Sequence, residues 1–268
     1  MLSGIGPGDH LQAMGIDTRV HAPEVGQNLQ DHLDYISAWR SPSPRLVGYG
    51  LTGIGRVAAS LPNFLLRRRG ILTSNIAESG GFLKSDATVS RPDIQLHFLI
   101  AIADDHNRRL HYGQGFSLHA CQLRPYSRGD VRLASRQPLD SPLINPRYLS
   151  DERDVATLLA GVKLSRRIAL RPELAKMRGK PLFIADNASD QQLIDSIRQR
   201  ADTIYHPVGT CRMGRDDKAV VDTRFRVKGV TGLRVIDASV MPTLISGNTN
   251  APTQVLAERA ADWIRHGE

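Results

Sequence analysis

The sequence predicts a mixed α/β chain, α+β in arrangement, in which helices flank a mainly antiparallel sheet. Two observations predict it. Between residues 75 and 134 apolar strand-like runs follow one another with no helical stretch between them. Further on, 151–170 and 190–200 carry apolar residues at helical spacing. A third observation permits it: 41% of the 268 residues are hydrophobic, enough for a real core and too many for a disordered chain.

The elements follow in order. Asp9 caps a short helix through Met14, which Gly15 ends, and 16–20 reads as a short strand. Residues 49–69 form a helix, with Leu51, Val57, Leu61, Phe64 and Leu65 near the 3.6-residue repeat and Gly70 as its end. A turn at 75–82, with Gly80-Gly81, leads into a strand. Strands at 94–103, 116–123 and 129–134 come next, the last two joined by the Arg124 to Gly129 turn. In the 151–170 helix, Val155, Leu158, Leu159, Val162 and Ile168 share a face and Ser150 is the cap. Ser189 caps 190–200, 233–237 is a strand, and the last helix runs from Thr253 to Arg265 after Pro252. One sheet face is expected to carry helices, the other to cover a cofactor pocket.

Composition excludes several classes. No apolar run approaches a membrane span of about 18 residues. Cys121 and Cys211 stand far apart, match no metal spacing and support neither a disulfide framework nor a zinc site. The net charge of +8 is scattered, and its one local run, Arg67-Arg68-Arg69, fits a helix C-terminus, where cations are favoured. No nucleic-acid motif accompanies it, so a nucleic-acid partner is not expected. His97, His111 and His119 read as structural, without the spacing of a metal site.

The last third carries the chemistry. Tyr205-His206-Pro207-Val208-Gly209-Thr210-Cys211-Arg212-Met213-Gly214 precedes Leu233-Arg234-Val235-Ile236-Asp237-Ala238-Ser239, then Ser246-Gly247-Asn248-Thr249-Asn250-Ala251-Pro252. One histidine and one asparagine thus sit on separate loops framed by Gly and Pro. The pattern resembles the C-terminal end of the glucose–methanol–choline (GMC) oxidoreductases, choline dehydrogenase-like and alcohol dehydrogenase-like flavoproteins. Ser3-Gly4-Ile5-Gly6 and Gly26-Gln27-Asn28-Leu29-Gln30-Asp31-His32 add to it, as does Pro125-x-Ser127-x-Gly129-x-Val131.

That resemblance implies FAD as cofactor and oxidation of an alcohol to an aldehyde or ketone by hydride transfer to the flavin. It gives His206 and Asn248 the catalytic positions at the alcohol oxygen. Asn28, Asp31, His32, Asp237, Ala238, Asn250 and Ala251 fall at cofactor-side positions. Glu78, in a Glu-x-Gly-Gly-Phe context, matches a substrate-side carboxylate, and an ordinary loop glutamate is the other reading. The chemistry agrees: a base of near-neutral pKa takes the hydroxyl proton, and an amide donor steadies the alkoxide. Metal has no part.

The family also opens with a G-x-G-x-x-G fingerprint after its first strand. Gly4-Ile5-Gly6, Gly48-Tyr49-Gly50 and Gly113-Gln114-Gly115 do not qualify. The expected organisation is therefore a remnant of the FAD-binding Rossmann-like domain at 1–34, a substrate-binding domain with the antiparallel sheet at 35–200, and a C-terminal FAD-binding and catalytic segment at 201–268. The resemblance implies that the nucleotide-binding half is absent. The alternative is a truncated, FAD-free, inactive fragment that needs that half. Partners are a small-molecule alcohol and an electron acceptor, quinone or oxygen. Cytoplasmic placement, with peripheral association at the inner membrane left open, completes the expectations.

Overall fold

The computed structural model of the protein describes residues 1–267. In chain order the elements are β1 (Ile5–Gly6), α1 (Gly8–Ala13), β2 (Val20–His21), β3 (Leu33–Ser41), β4 (Gly48–Tyr49), α2 (Leu51–Arg67), β5 (Ser79–Leu83) and β6 (Ile94–Leu99). Then come β7 (Gly113–Gln122), β8 (Asp130–Arg132), β9 (Leu143–Asn145), α3 (Glu152–Ala169), α4 (Asp190–Arg200) and α5 (Asn250–Arg265). They group into two compact units. One comprises Met1–His32, Leu123–Asp154 and the chain from Thr203 onward; the other comprises Leu33–Gln122 and Val155–Asp202.

The second unit is built on an antiparallel sheet in the order β3-β7-β6-β5, with β4 also pairing β7. Side chains alternate across a strand, so the register sorts them into two faces. Trp39 lies opposite Phe116 and Ser37 opposite Leu118. Trp39, Phe116 and Leu118 join Leu46, Phe98 and Ala169, the last residue of α3, in one core cluster. The Trp39 and Phe116 rings stack at 5.4 Å, and the Tyr35 hydroxyl on the same face pairs with Ser196 of α4 at 2.7 Å. Gly161 lets α3 approach the sheet, since a Cβ there would meet Ile94 Cδ1 at 2.8 Å. One sheet face thus carries helices, as expected. The other holds polar groups: His119 Nδ1 lies 2.5 Å from Asp34 Oδ2, and His97 stands edge-on to His119.

Several expectations are corrected. The strand at 129–134 does not join this sheet; β8 pairs β9 in a separate hairpin, because Gly129 and Val131 bond to Leu29 and Gly26 in the first unit. The sheet instead contains β3, which the sequence does not announce. Residues 233–237 form no regular strand. Gly229 and Gly232, both at positive φ, fold them back on 225–227 through Val227 N–H to Leu233 O and Val235 N–H to Phe225 O. The cap of α3 is Asp151, whose Oδ1 accepts from Arg153 N at 2.9 Å, rather than Ser150. Ile168 is 39% exposed, and the buried face of α3 runs through Val155, Leu158, Val162, Ser165 and Ala169. Pro7, not Asp9, precedes α1.

Two caps match expectation or nearly so. Ser189 and Gln192 form a reciprocal capping box at α4. The helix α2 ends at Arg67, and its C-cap Arg68, in the left-handed conformation, stands two residues before Gly70. Its apolar stripe does not enter the core: Leu51 is 86% exposed, and Ile54, Leu61, Leu65 and Leu66 are exposed with it.

Candidate functional site

The first unit has short strands and many loops, and polar side chains tie those loops together. Asn28, at a φ of 63°, donates through Nδ2 to Gly209 O at 3.2 Å and Pro242 O at 3.3 Å. Gln30 is buried. Its Nε2 donates to Asn28 Oδ1 and Pro242 O, each at 3.2 Å, and its Oε1 accepts from Leu244 N at 3.2 Å. The backbone of Gln30 pairs with Val208 in both directions. Gly209 is required beneath this junction: at a φ of +97°, a Cβ would meet Asn28 O at 2.4 Å. The loop that bears His206 is therefore stitched to 28–30 and to 242–244.

Asp31 makes the next stitch. Its Oδ1 accepts from the backbone N–H of His206 at 2.9 Å, and its Oδ2 accepts from the Tyr148 hydroxyl at 2.6 Å and from Thr203 Oγ1. Tyr205, just before His206, is held at a φ of 67°, in the sparsely populated left-handed region. Its N–H donates to Thr203 Oγ1 at 2.8 Å. The backbone strain at Tyr205 is thus fixed by the hydroxyl that Asp31 also holds.

His32 is fully enclosed. Its Nε2 lies 3.1 Å from Leu123 O and 3.0 Å from Ile245 O, and its Nδ1 lies 2.9 Å from Nδ1 of His206. The two rings meet edge-on at 87°, their centroids 5.1 Å apart. His206 itself is 9% exposed, and its Nε2 stands 3.4 Å from Asn248 Nδ2. Burial pushes the His206 imidazole below its ordinary pKa, and the charge of Asp31 opposes that in part. Burial, followed by the nearby His206 charge, lowers His32 to about 4.

The other sequence-selected residues fall as follows. Asp237 Oδ1 accepts from Ser239 N at 2.8 Å and caps the single turn of 3-10 helix at Ala238–Val240. Ser239 O accepts from Cys211 N, which links that turn to the His206 loop. Asn250 and Ala251 open α5, two and three residues after Asn248, and both are exposed. The helix starts at Asn250 and not at Thr253. Pro252 fits in the first turn because N–H groups there lack partners inside the helix. Glu78 belongs to the other unit, where it is exposed just before β5 and accepts from Ser74 Oγ at 2.5 Å. Sequence reasoning missed Gln30, Tyr148 and Thr203 as parts of the scaffold. Their partners lie up to 214 residues away, and no local period marks them.

Comparison with known proteins gives the family of the chain. Residues 125–257 match the family model described as GMC oxidoreductase. An alcohol dehydrogenase [acceptor] of Pseudomonas putida is 46% identical over 98% of this chain and 48% of its own length. Human mitochondrial choline dehydrogenase is 41% identical over 99% of this chain and 45% of its own. Among solved structures, a pyridoxine 4-oxidase from Mesorbium loti superposes with a TM-score of 0.82 at 30% identity, over 99% of this chain and 48% of that one. An Aspergillus oryzae formate oxidase, studied for modification of its FAD, superposes with a TM-score of 0.87 at 26% identity, over 100% of this chain and 52% of that one. The chain belongs to the GMC oxidoreductase family, whose structural neighbours are FAD-dependent flavoproteins. It spans about half the length of the relatives it matches.

Proposed function

We propose that this chain supplies the catalytic pair of an FAD-dependent alcohol oxidoreductase, which converts a CH–OH group to an aldehyde or ketone. One observation carries the reading. His206 Nε2 and Asn248 Nδ2 lie 3.4 Å apart, while the opposite ring nitrogen of His206 is taken up inside the protein. A base and an amide donor are thus side by side, and both can face one alcohol oxygen.

FAD suits the residues present at its ring end. The first-turn N–H groups of Asn250 and Ala251 have no partner inside α5, and a helix N-terminus favours negative charge. When bound, FAD supplies the hydride acceptor. His206 takes the hydroxyl proton at Nε2. Asn248 donates to the same oxygen and lowers the cost of its developing charge. Asp237 and Ala238, on the turn tied to Cys211, and Asn28, Asp31 and His32, in the loop beneath His206, line the cofactor side as supports of that arrangement. Residues 1–34 and 201–268 are the cofactor-side segments, and 35–200 binds substrate, with Glu78 as its polar group. The substrate is a small alcohol and the acceptor a quinone or oxygen.

A second reading has its own observation: the G-x-G-x-x-G at 48–53 follows a two-residue strand of an antiparallel sheet and not the parallel βαβ unit that a nucleotide fingerprint needs, so in this reading the adenosine end of FAD requires a separate nucleotide-binding half. The absorption spectrum of the purified chain, after incubation with FAD and removal of free ligand, separates the two. A retained flavin band that bleaches with a primary alcohol supports the first, and His206→Ala should slow the bleaching by about 10²–10⁴-fold while the band stays. A band that bleaches equally in His206→Ala refutes the catalytic assignment. No retained flavin supports the second reading.

Peripheral membrane association has support in α2. No Asp or Glu occurs between Asp34 and Glu78, whereas Arg40, Arg45, Arg56 and Arg67 to Arg69 do. Exposed Leu51, Ile54, Leu61 and Leu65 stand beside this charge. An anionic lipid surface complements both features. Among the described residues no helix is long and apolar enough to cross a membrane. Flotation with phosphatidylglycerol vesicles should carry the chain upward at low salt and release it as salt rises; failure to float at low salt removes this element.

A further inference from the structure

We infer that His32 is a positioning residue that fixes the tautomer of His206 and leaves His206 Nε2 free to accept a proton. The inference rests on the proposed role of His206 and goes beyond it.

The argument is a count of donors and acceptors. His32 Nε2 faces only carbonyl oxygens, those of Leu123 and Ile245, at 3.1 and 3.0 Å. A carbonyl accepts and never donates, so His32 Nε2 carries the hydrogen. In a neutral imidazole the other nitrogen is then a lone pair. His32 Nδ1 must therefore accept, and among the described residues the polar atom set against it is His206 Nδ1 at 2.9 Å. His206 consequently carries its hydrogen on Nδ1, and Nε2 is the lone pair. That nitrogen in turn faces Asn248 Nδ2, a donor. The chain of assignments closes with every donor on an acceptor. The opposite tautomer of His206 would set two lone pairs 2.9 Å apart in a buried place. A doubly protonated His32 would bury a charge with no carboxylate on its ring nitrogens, and its depressed pKa of about 4 agrees that it is neutral near pH 7.

The dipeptide Asp31-His32 thus grips the His206 loop twice. Asp31 takes the backbone N–H of His206, the His32 carbonyl accepts from Ile204 N at 3.2 Å, and the His32 ring takes the His206 ring. When Nε2 receives the hydroxyl proton, His206 becomes an imidazolium with Nδ1–H still bonded to His32. A proton passed on to His32 would place a charge on a fully enclosed ring whose nitrogens meet no carboxylate, so the proton stays on His206. Orientation of a catalytic imidazole by a hydrogen bond to its far nitrogen is a general device, usually served by a carboxylate or a carbonyl. Here a neutral imidazole anchored by two carbonyls serves it.

Nitrogen-15 NMR of histidine-labelled protein near pH 7.5, with no cofactor added, reads the tautomers of the unaltered chain. The expected result is a protonated Nε2 and bare Nδ1 in His32, and a protonated Nδ1 and bare Nε2 in His206. An Nε2–H tautomer of His206, or a doubly protonated His32, overturns the inference. In the FAD-loaded protein, His32→Phe should slow flavin reduction by about 10²-fold or more with little change in alcohol affinity. His32→Asn places an amide oxygen where Nδ1 stood and should recover much of that loss. Unchanged reduction in His32→Phe, with His206→Ala still impaired, defeats this inference and spares the catalytic assignment. Unimpaired His206→Ala defeats the assignment itself.

Discussion

Each of the two units of this chain is held together internally, and by a different force. In the sheet unit, β3, β7 and β6 pair over long antiparallel ladders, and Trp39, Phe116 and Phe98 stack in sequence on the helix-covered face. Among the described residues of the loop unit no strand is longer than three residues. Amides and carboxylates do the joining there: Asn28, Gln30 and Asp31 reach backbone groups of 206–209 and 242–244, while buried Asp154 accepts from the N–H groups of Tyr126 and Ser127. Packing tolerates small displacements of side chains. A hydrogen-bonded junction fixes direction as well as distance. A catalytic histidine needs direction, and the candidate pair lies in the unit that supplies it.

The largest effect should come from the packed unit. Trp39 is fully buried against Phe116, and its Nε1 donates to Asp186 Oδ1 at 2.9 Å. Trp39→Ala removes the stack and leaves a cavity, at a cost of about 3–5 kcal/mol. Urea unfolding followed by circular dichroism measures it. A loss below about 1 kcal/mol would mean that aromatic packing is not what holds the sheet unit, and the contrast between the units would fall with it.

The same contrast explains what the sequence makes legible. His206 and Asn248 are readable because Gly and Pro frame them in a long run of unusual residues. The helices α3, α4 and α5 are readable because apolar spacing of 3.6 survives along their length. β3 is not. Asp34 and Ser37 interrupt its apolar residues, and both of its faces are buried, so the apolar-polar alternation of a half-exposed strand never develops. The scaffold beneath His206 is equally silent. Gln30, Tyr148 and Thr203 look like ordinary loop residues, and the bond from Asp31 to the His206 backbone is not visible either, until the fold brings partners 117 to 214 residues apart to hydrogen-bonding distance. The α2 stripe is the reverse case: its periodicity gives the helix correctly, but periodicity alone does not say whether the apolar side faces protein or solvent.

A smaller effect tests the junction itself. Asp31→Asn keeps an amide oxygen to accept from His206 N–H and sets an NH₂ against the Tyr148 and Thr203 hydroxyls, which turn to accept from it. The expected loss of stability is on the order of 1 kcal/mol, because the bonds are rearranged and not left unmade. The charge is lost outright. Asp31 is the one group that raises the His206 pKa against the lowering by burial. Without it, the His206 pKa falls further. In the proposed role of base His206 works unprotonated, so flavin reduction is expected to fall on the acid side as His206 takes up a proton, and in Asp31→Asn that acid limb should move to lower pH. Rapid-mixing rates of flavin reduction across pH, in the FAD-loaded protein, locate the limb. A limb that moves to higher pH would mean that Asp31 acts on His206 through loop geometry more than through charge, and the hydrogen-bonded junction would then be the whole of its role.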